Sequence, residues 1–430
     1  MSSSSISRTK EEWLNYLEST HPADIEMGLG RVTQVAQALD LFKPAPRTIV
    51  VGGTNGKGTT TALLGQLLAK KGLSSAGYNS PHIHQYNERI NRRDADGLGR
   101  LTTDEELCIA FSAIEQGRGD IPLTYFEFGT LAALWQIKQW QVDVALLEVG
   151  LGGRLDAVNI VDTDLAIVTS VGLDHQDWLG DTLDLIGYEK AGIGRKNKPL
   201  ICGQPNVSQG FLDHVQNIGA ELIEIDQQYS INAEKGGWTV DLDLAGVNKR
   251  QLHLPQGHIP YYNIASAIAG LNAINLLPTD DEINQAIEQT QVAGRLSRYS
   301  YLYNDKKINF ILDVAHNPQA AEFLGSQVGQ CSHAILALLA DKDPVGIITA
   351  LPKIKHWHLA GLSGYRGQPV EQLHARLLPS LAEKVSSQHQ DVALAIDHCL
   401  SCVQDDDTIL VIGSFLTVAA AEQVLQTRGQ

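Results

Sequence analysis

Lys57 stands in the run Gly52-Gly53-Thr54-Asn55-Gly56-Lys57-Gly58-Thr59, and an ammonium inside a glycine-rich turn is suited to neutralising a phosphate. Backbone N–H groups of such a turn, placed at a helix start, point at one spot where the helix dipole also favours negative charge. Asn55, Gly56, Lys57 and Gly58 are therefore candidates for a phosphate cradle. The strict nucleotide-loop pattern G-x-x-x-x-G-K-[ST] would want glycine where Val51 stands and a hydroxyl where Gly58 stands. That hydroxyl ordinarily holds Mg2+, so part of the metal shell must come from elsewhere, with Thr59, one residue late, as the only local substitute. A plain glycine turn with a solvated lysine is the alternative. The order strand, loop, helix favours phosphate binding.

Further titratable side chains stand where strands should end. Val142 to Val149 is a near-continuous apolar run broken by Glu148, followed by Gly150-Leu151-Gly152-Gly153. A carboxylate at that position lies where open α/β sheets bind ligands, and it suits a metal ion or metal-bound water; a solvent-facing glutamate is the bland alternative. A second run, Leu165 to Val171, ends in Gly172-Leu173-Asp174-His175, leaving His175 open between a structural and a ligand role. Ser80-Pro81-His82 falls where another strand would finish. Lys190, in a helical stretch from 184 to 193, reads by itself as an ordinary surface lysine. Cys399 and Cys402 have CxxC spacing, yet no second pair exists, and helix packing is the expectation.

The elements that must position these groups follow from periodicity. Thr48 to Val51 reads as a short buried strand, and Ala62, Leu63, Leu64, Leu67 and Leu68 mark one face of a helix that Gly72 ends. Trp13, Leu14 and Leu17 suggest an initial helix; Val32, Val35, Ala36 and Leu39 mark a second. Thr124 opens a helix through Trp140, and Tyr262 to Leu277 is another. The period shifts towards two between Glu221 and His258, which suggests a small antiparallel meander. Strands are expected at Ile308 to Leu312, His333 to Leu339 and Thr408 to Ile412, alternating with helices. The fold class is thus α/β: an N-terminal domain with a mostly parallel sheet over residues 1–296 and a smaller parallel α/β domain of doubly wound type over 297–430.

The chain has 430 residues and a formal charge of −16, which argues against nucleic-acid binding because a phosphate backbone needs a basic footprint. No apolar run approaches the roughly 18 residues of a membrane span. MSSSSISRTKEEWLNYL lacks a signal-peptide core, so a cytoplasmic protein is expected. Five scattered cysteines suggest reduced thiols.

Taken together, GTNGKGT at 53–59, SPH at 80–82, LTYFEFGTLAALW at 123–135, LLEVGLGGRLDAVNIV at 146–161, DHQDWLG at 174–180, EKAGI at 189–193, GR at 294–295, DVAHNP at 313–318 and DKD at 341–343 resemble the bacterial bifunctional dihydrofolate synthase/folylpolyglutamate synthase family. More distantly, the layout resembles the muramyl ligases. The resemblance implies a P-loop domain and a Rossmann-like domain with the active site between them. It also implies a reaction: ATP phosphorylates a carboxylate of dihydropteroate, or the γ-carboxylate of a folate, and the amine of L-glutamate displaces the phosphate. Carried over by position, Asn55 to Thr59 hold the triphosphate; Ser80 and Glu148 bind one Mg2+, and His175 a second. Lys190 matches a carbamylated lysine, which reverses the surface reading above. Asn263 matches an adenine-side asparagine, Arg295 a phosphate-binding arginine, and Asp313 a ribose-binding aspartate. Lys57, His175, Lys190 and Arg295 are the catalytic set that this implies. Thr124, Tyr125, Phe126, Arg154, Leu155 and Asp156 match the pterin-binding segments, with Ile25 and Glu26 on a loop that would close over the pterin. His316 and Ser414 are candidates for the incoming glutamate.

Two Mg2+ ions and ATP are thus the expected cofactors, with a monovalent cation as an optional third ion. The expected partners are small molecules, acting on a monomer. The sequence departs from the family pattern at Pro260-Tyr261-Tyr262-Asn263, where glutamine often precedes the asparagine, and at Asn79, where serine or threonine is frequent. A folylpolyglutamate synthase without the first activity is the alternative of the same class. A non-catalytic nucleotide switch is the alternative from another, but an N-K-x-D base-reading motif after a strand is lacking.

Overall fold

Arg47–Gly52 forms β1, and its side chains alternate between two hydrophobic layers: Val50 faces one, Ile49 and Val51 the other. The same split recurs in β5 (Val144–Glu148) and β6 (Leu165–Val168), with Ala145, Leu147, Ala166 and Val168 on the first face and Val144, Leu146, Leu165 and Ile167 on the second. A sheet buried on both faces needs apolar residues at every position, which is why these strands read as continuous runs rather than alternating ones. The computed structural model describes residues 8–20, 26–243, 250–255, 257, 259–329, 331–364 and 366–428, and its contacts divide the chain into two units, Met1–Gln291 and Val292–Gln430.

In the first unit, β2 (Ser75–Tyr78), β3 (Ile90–Arg93), β4 (Gly99–Leu101), β7 (Pro199–Cys202) and β8 (Glu221–Glu224) complete an eight-stranded sheet of order β4-β3-β2-β5-β1-β6-β7-β8. From β2 to β8 all pairings are parallel; β3 and β4 add an antiparallel edge. Helices Lys10–Thr20, Gly30–Leu39, Asp104–Arg118 and Tyr125–Trp140 cover the first face. Helices Lys57–Lys70, Tyr261–Ala273 and Asp280–Gln289 cover the second. The small antiparallel sheet is β9 (Tyr229–Glu234), β10 (Gly237–Leu242) and β11 (Arg250–Pro255), in order β11-β10-β9. It begins later than expected, because Glu221–Glu224 extends the main sheet in parallel register with β7.

The second unit contains β12 (Ser297–Tyr303), β13 (Lys306–Asp313), β14 (His333–Leu336), β15 (His356–Ala360), β16 (Val385–His389) and β17 (Thr408–Ile412), in order β12-β13-β17-β14-β15-β16. It is parallel except for the β12–β13 hairpin. The domain boundary expected after residue 296 lies inside this unit. Among the described residues, no helix is long and apolar enough to cross a membrane, and all five cysteines are free.

Candidate active site

β2, β5, β1 and β6 are neighbours, so their carboxyl ends deliver four loops to one rim of the sheet. Ser80 follows β2, Glu148 ends β5, the glycine loop follows β1, and Thr169 to His175 follow β6. The β6 strand stops three residues before the expected Val171 because Thr169 and Ser170 turn to hold the glycine loop. Thr54 N–H donates to Ser170 O (2.9 Å) and Asn55 N–H to Ser170 Oγ (2.9 Å). The Thr169 hydroxyl donates to Asn55 O (2.6 Å) and to Gly52 O (3.1 Å).

Two glycines in the loop are dictated by close approach. Gly53, at φ +141°, has Thr169 Oγ1 where a Cβ would go. Gly56, at φ +88°, caps the helix Lys57–Lys70, and a Cβ there would lie 2.5 Å from the amide nitrogen of Asn263. Asn263, buried at the start of helix Tyr261–Ala273, donates in turn to Gly56 O (3.5 Å). The Lys57 ammonium folds back on Gly53 O (3.0 Å) and Thr54 O (3.4 Å), at the mouth of the loop.

Gly58 lies beside Glu148: a Cβ on it would stand in ordinary contact, 3.5 Å, with Glu148 Oε2, so the carboxylate borders the first helical turn. Glu148 is buried and accepts from Ser80 N–H (3.3 Å), which brings Ser80, Glu148 and Gly58 together. Thr59 is also buried. Asn79, one of the departures from the family pattern, accepts from the Thr61 hydroxyl (2.8 Å) and so ties the β2 tip to the same helix. Hard oxygen donors at one rim suit Mg2+, and the residues present fit that ion.

Lys190 is buried, not the surface lysine of the isolated reading. Burial first and the Lys57 charge second, opposed by Asp174 and Asp156, bring its pKa down to about 7. With a pKa of about 7, a substantial share of the amine is neutral near pH 7, and the neutral amine is the form that takes up CO2. Asp174 accepts from His175 N–H (2.9 Å), and His175 adopts a left-handed φ of 52° at the start of the turn Gln176–Leu179.

The aromatic segment reaches the same rim. Thr124 caps helix Tyr125–Trp140 in a reciprocal box with Glu127 (3.2 and 2.8 Å). The Phe126 ring lies over the backbone of Gly150, just past the end of β5, with its Cε2 2.7 Å from where a Cβ would be. Tyr125 is half-buried beside Tyr86 (6.0 Å between rings). Asp156 is buried, and burial raises its pKa to about 6 against the N–H bonds from Leu151 (2.7 Å) and Val158 (2.9 Å). Arg154 pairs with Glu189 (2.7 Å), next to Lys190, and Leu155 is half-buried. Glu26 pairs with Arg31; Ile25 lies outside the described residues.

Arg31 was not singled out from sequence, yet it also bonds the buried Glu127 (3.0 Å) and so links the Glu26 segment to the aromatic helix. The T-x-x-E spacing at 124–127 signals only the helix cap and gives no sign of Arg31. Thr169 and Ser170 were missed as well. Hydroxyls immediately after a buried strand were their only trace.

In the second unit, Arg295 approaches Asp313 (3.5 Å), whose two oxygens accept from Leu296 N–H (3.0 Å) and Ala315 N–H (2.8 Å). His316 and Ser414 follow the adjacent strands β13 and β17. His316 Nδ1 lies 2.9 Å from Val314 O, and Ser414 Oγ accepts from Thr417 N–H (3.0 Å), capping helix Phe415–Arg428.

A glycine loop at the tip of a parallel sheet, facing a buried carboxylate and followed by a second α/β unit, defines an ATP-dependent ligase of the Mur-ligase fold. Residues 294–415 match the family described as Mur ligase, glutamate ligase domain. The chain is 40% identical over 422 residues to the dihydrofolate synthase/folylpolyglutamate synthase of Escherichia coli (97% of this chain, 95% of the relative) and 37% identical to that of Haemophilus influenzae (95% of each). It therefore belongs to the dihydrofolate synthase/folylpolyglutamate synthase family. Its structure resembles that of E. coli FolC in complex with DHPP and ADP (TM-score 0.89, 39% identity, 98% of this chain and 99% of that one). It also resembles the Yersinia pestis bifunctional enzyme complexed with AMPPNP and Mn ion (TM-score 0.88, 40% identity, 99% and 100%).

Proposed function

We propose that this chain joins L-glutamate to 7,8-dihydropteroate and to the γ-carboxylate of tetrahydrofolate, through an acyl phosphate made from ATP. A carboxylate is a poor acyl donor, because it offers the attacking amine no leaving group. Transfer of the γ-phosphoryl group to its oxygen releases ADP and creates a leaving group; the glutamate amine then attacks the acyl carbon, the amide C–N bond forms, and inorganic phosphate departs. The convergence of Ser80, Glu148 and the glycine loop on one rim is the observation that carries this reading.

Asn55 to Thr59 are assigned to the triphosphate, with Lys57 swinging from its backbone carbonyls to the transferring group. Asn263 is assigned to the adenine, Arg295 to a phosphate, and Asp313 to the ribose. Ser80 and Glu148 would hold one Mg2+; His175 and carbamylated Lys190 would serve a second. When bound, such ions supply neutralisation of the charge spread over the phosphoryl oxygens. Tyr125, Phe126 and Asp156 are assigned to the pterin, an aromatic face and a carboxylate being suited to a flat heterocycle with N–H donors. Glu26, Thr124, Arg154 and Leu155 would frame it, and His316 and Ser414 are assigned to glutamate.

The test is a coupled ADP-release assay with dihydropteroate and with tetrahydrofolate monoglutamate side by side, each with and without L-glutamate. Release with both pterins, only when glutamate is present, is the expected result. Release with the second pterin alone would identify a folylpolyglutamate synthase only, and release indifferent to pterin and glutamate would sink the ligase assignment.

A further inference from the structure

The second unit carries a group of histidines that the ligase chemistry does not use. His358 lies on β15, His389 ends β16, and His398 is on the helix Val392–Cys402, which packs on both strands. One ring nitrogen of each lies within 4.8 Å of those of the other two. Register accounts for this placement. His358 pairs with Ser387, and His389 is two residues further along the same strand, so all three side chains share the face that the helix covers.

The rings converge. The Ser387 hydroxyl is 2.7 Å from His358 Nδ1 and 2.7 Å from His389 Nε2, holding both nitrogens towards one point. The His398 ring is 5.6 Å from that of His358 and 5.0 Å from that of His389. One turn after His398, the Sγ of exposed Cys402 lies 3.6 Å from His398 Nε2, whereas Cys399 is packed in the core. The far nitrogen of His358 is held by His333 Nδ1 (3.1 Å), the kind of outer contact that orients a metal-binding imidazole. Burial, and then the neighbouring rings, lower the His358 pKa to about 3, so this imidazole is neutral and carries a lone pair.

We propose that His358, His389 and His398, with the Cys402 thiolate as fourth ligand, form a Zn2+-type transition-metal site within the second unit. Three imidazoles and a thiolate are borderline-soft donors that select Zn2+ and its neighbours over Mg2+. Tetrahedral Zn2+ with Zn–N of ~2.05 Å sets its nitrogens about 3.4 Å apart, so side-chain rotation of roughly an ångström brings the three imidazoles to ligand spacing, while Cys402, beside His398 but outside the group of three, must turn further to join them. Half-buried His389 and His398 would make the imidazole rotation, His389 leaving the Ser387 hydroxyl for the ion, while buried His358 supplies the fixed corner. The ion would pin the covering helix to the edge of the sheet.

The full chain, in excess Mg2+ to fill oxygen-donor sites, is titrated with Zn2+ against a chromophoric chelator and with Co2+ followed by visible absorption. One tight equivalent of Zn2+ is expected, together with the intense bands of four-coordinate cobalt and a thiolate charge-transfer band. Cys402→Ser should abolish the charge-transfer band. The His389→Ala/His398→Ala variant should lose about 100-fold or more in Zn2+ affinity while retaining wild-type ligase turnover, which also shows that it folds. His389→Gln serves as a milder second variant. Absence of saturable Zn2+ binding by the wild type, or unchanged affinity in the histidine variants, overturns the site; a charge-transfer band surviving Cys402→Ser overturns the thiolate ligand.

Discussion

Replacing Gly56 with alanine tests the phosphate loop by geometry alone. The new methyl would sit 2.5 to 2.8 Å from three atoms of the Asn263 amide, on a residue at φ +88°. A non-glycine residue in the left-handed region costs about 1–2 kcal/mol, and losing the long Asn263–Gly56 hydrogen bond adds roughly 0.5–1 kcal/mol, for a total of about 1.5–3 kcal/mol. Gly72 is the internal control, since it has a similar φ of +75° and nothing within 4 Å of its would-be Cβ. Gly72→Ala should therefore show the backbone cost alone, with KM for ATP unchanged. Gly56→Ala should be less stable than Gly72→Ala by roughly 1 kcal/mol in urea denaturation, and should raise the KM for ATP because Asn263 is displaced. Equal stabilities with equal KM values would refute the claim that loop and asparagine are packed into one unit.

Three further expectations follow from charge placement. Lys57→Ala should lower kcat by at least 100-fold, ~3 kcal/mol of barrier, with the fold intact by circular dichroism. Lys190 should carry a carbamate, seen as a 13C resonance after incubation with labelled bicarbonate; Lys190→Ala should be inactive and partly rescued by short carboxylic acids, and an active enzyme with a bare amine would remove the modification. The hydrogen bond from Arg100 holds Glu106 down at about 2 from its ordinary 4.5, so its stabilisation is complete above about 4.5 and is lost as pH falls towards about 2. With Arg100 44% exposed, solvent screening leaves about 1 kcal/mol, and Glu106→Gln should flatten urea-denaturation stability across that window.

The parallel strands of the first unit were legible because burial on both faces turns them into near-continuous apolar runs, as at Val144–Glu148, where only the last residue is polar. The glycine loop was legible because glycines there meet specific atoms, Thr169 at one and Asn263 at the other. The hairpin strand Ser297–Tyr303 was missed: at an edge of its sheet it alternates half-buried with exposed residues and lacks such a run. Glu221–Glu224 was assigned to the wrong sheet, since four residues at an edge cannot declare a parallel or antiparallel partner. Lys190 was hidden for a different reason: periodicity marks a helix face but not the depth at which a lysine is sunk. Arg31 reaches Glu127 across 96 positions, a distance at which local pattern carries no information.

The clasp between the β6 tip and the glycine loop has a thermodynamic consequence. Thr169 and Ser170 already hold the main chain of Thr54 and Asn55 through four or more hydrogen bonds, so a nucleotide arriving there need not freeze a wandering segment. Preorganisation of this kind spares the conformational entropy that ordering would otherwise subtract from affinity. ADP should then bind this chain with an entropy loss largely confined to the ligand itself, and Thr169→Ala should make association calorimetrically more exothermic yet weaker as the loop's disorder is returned to the unbound state.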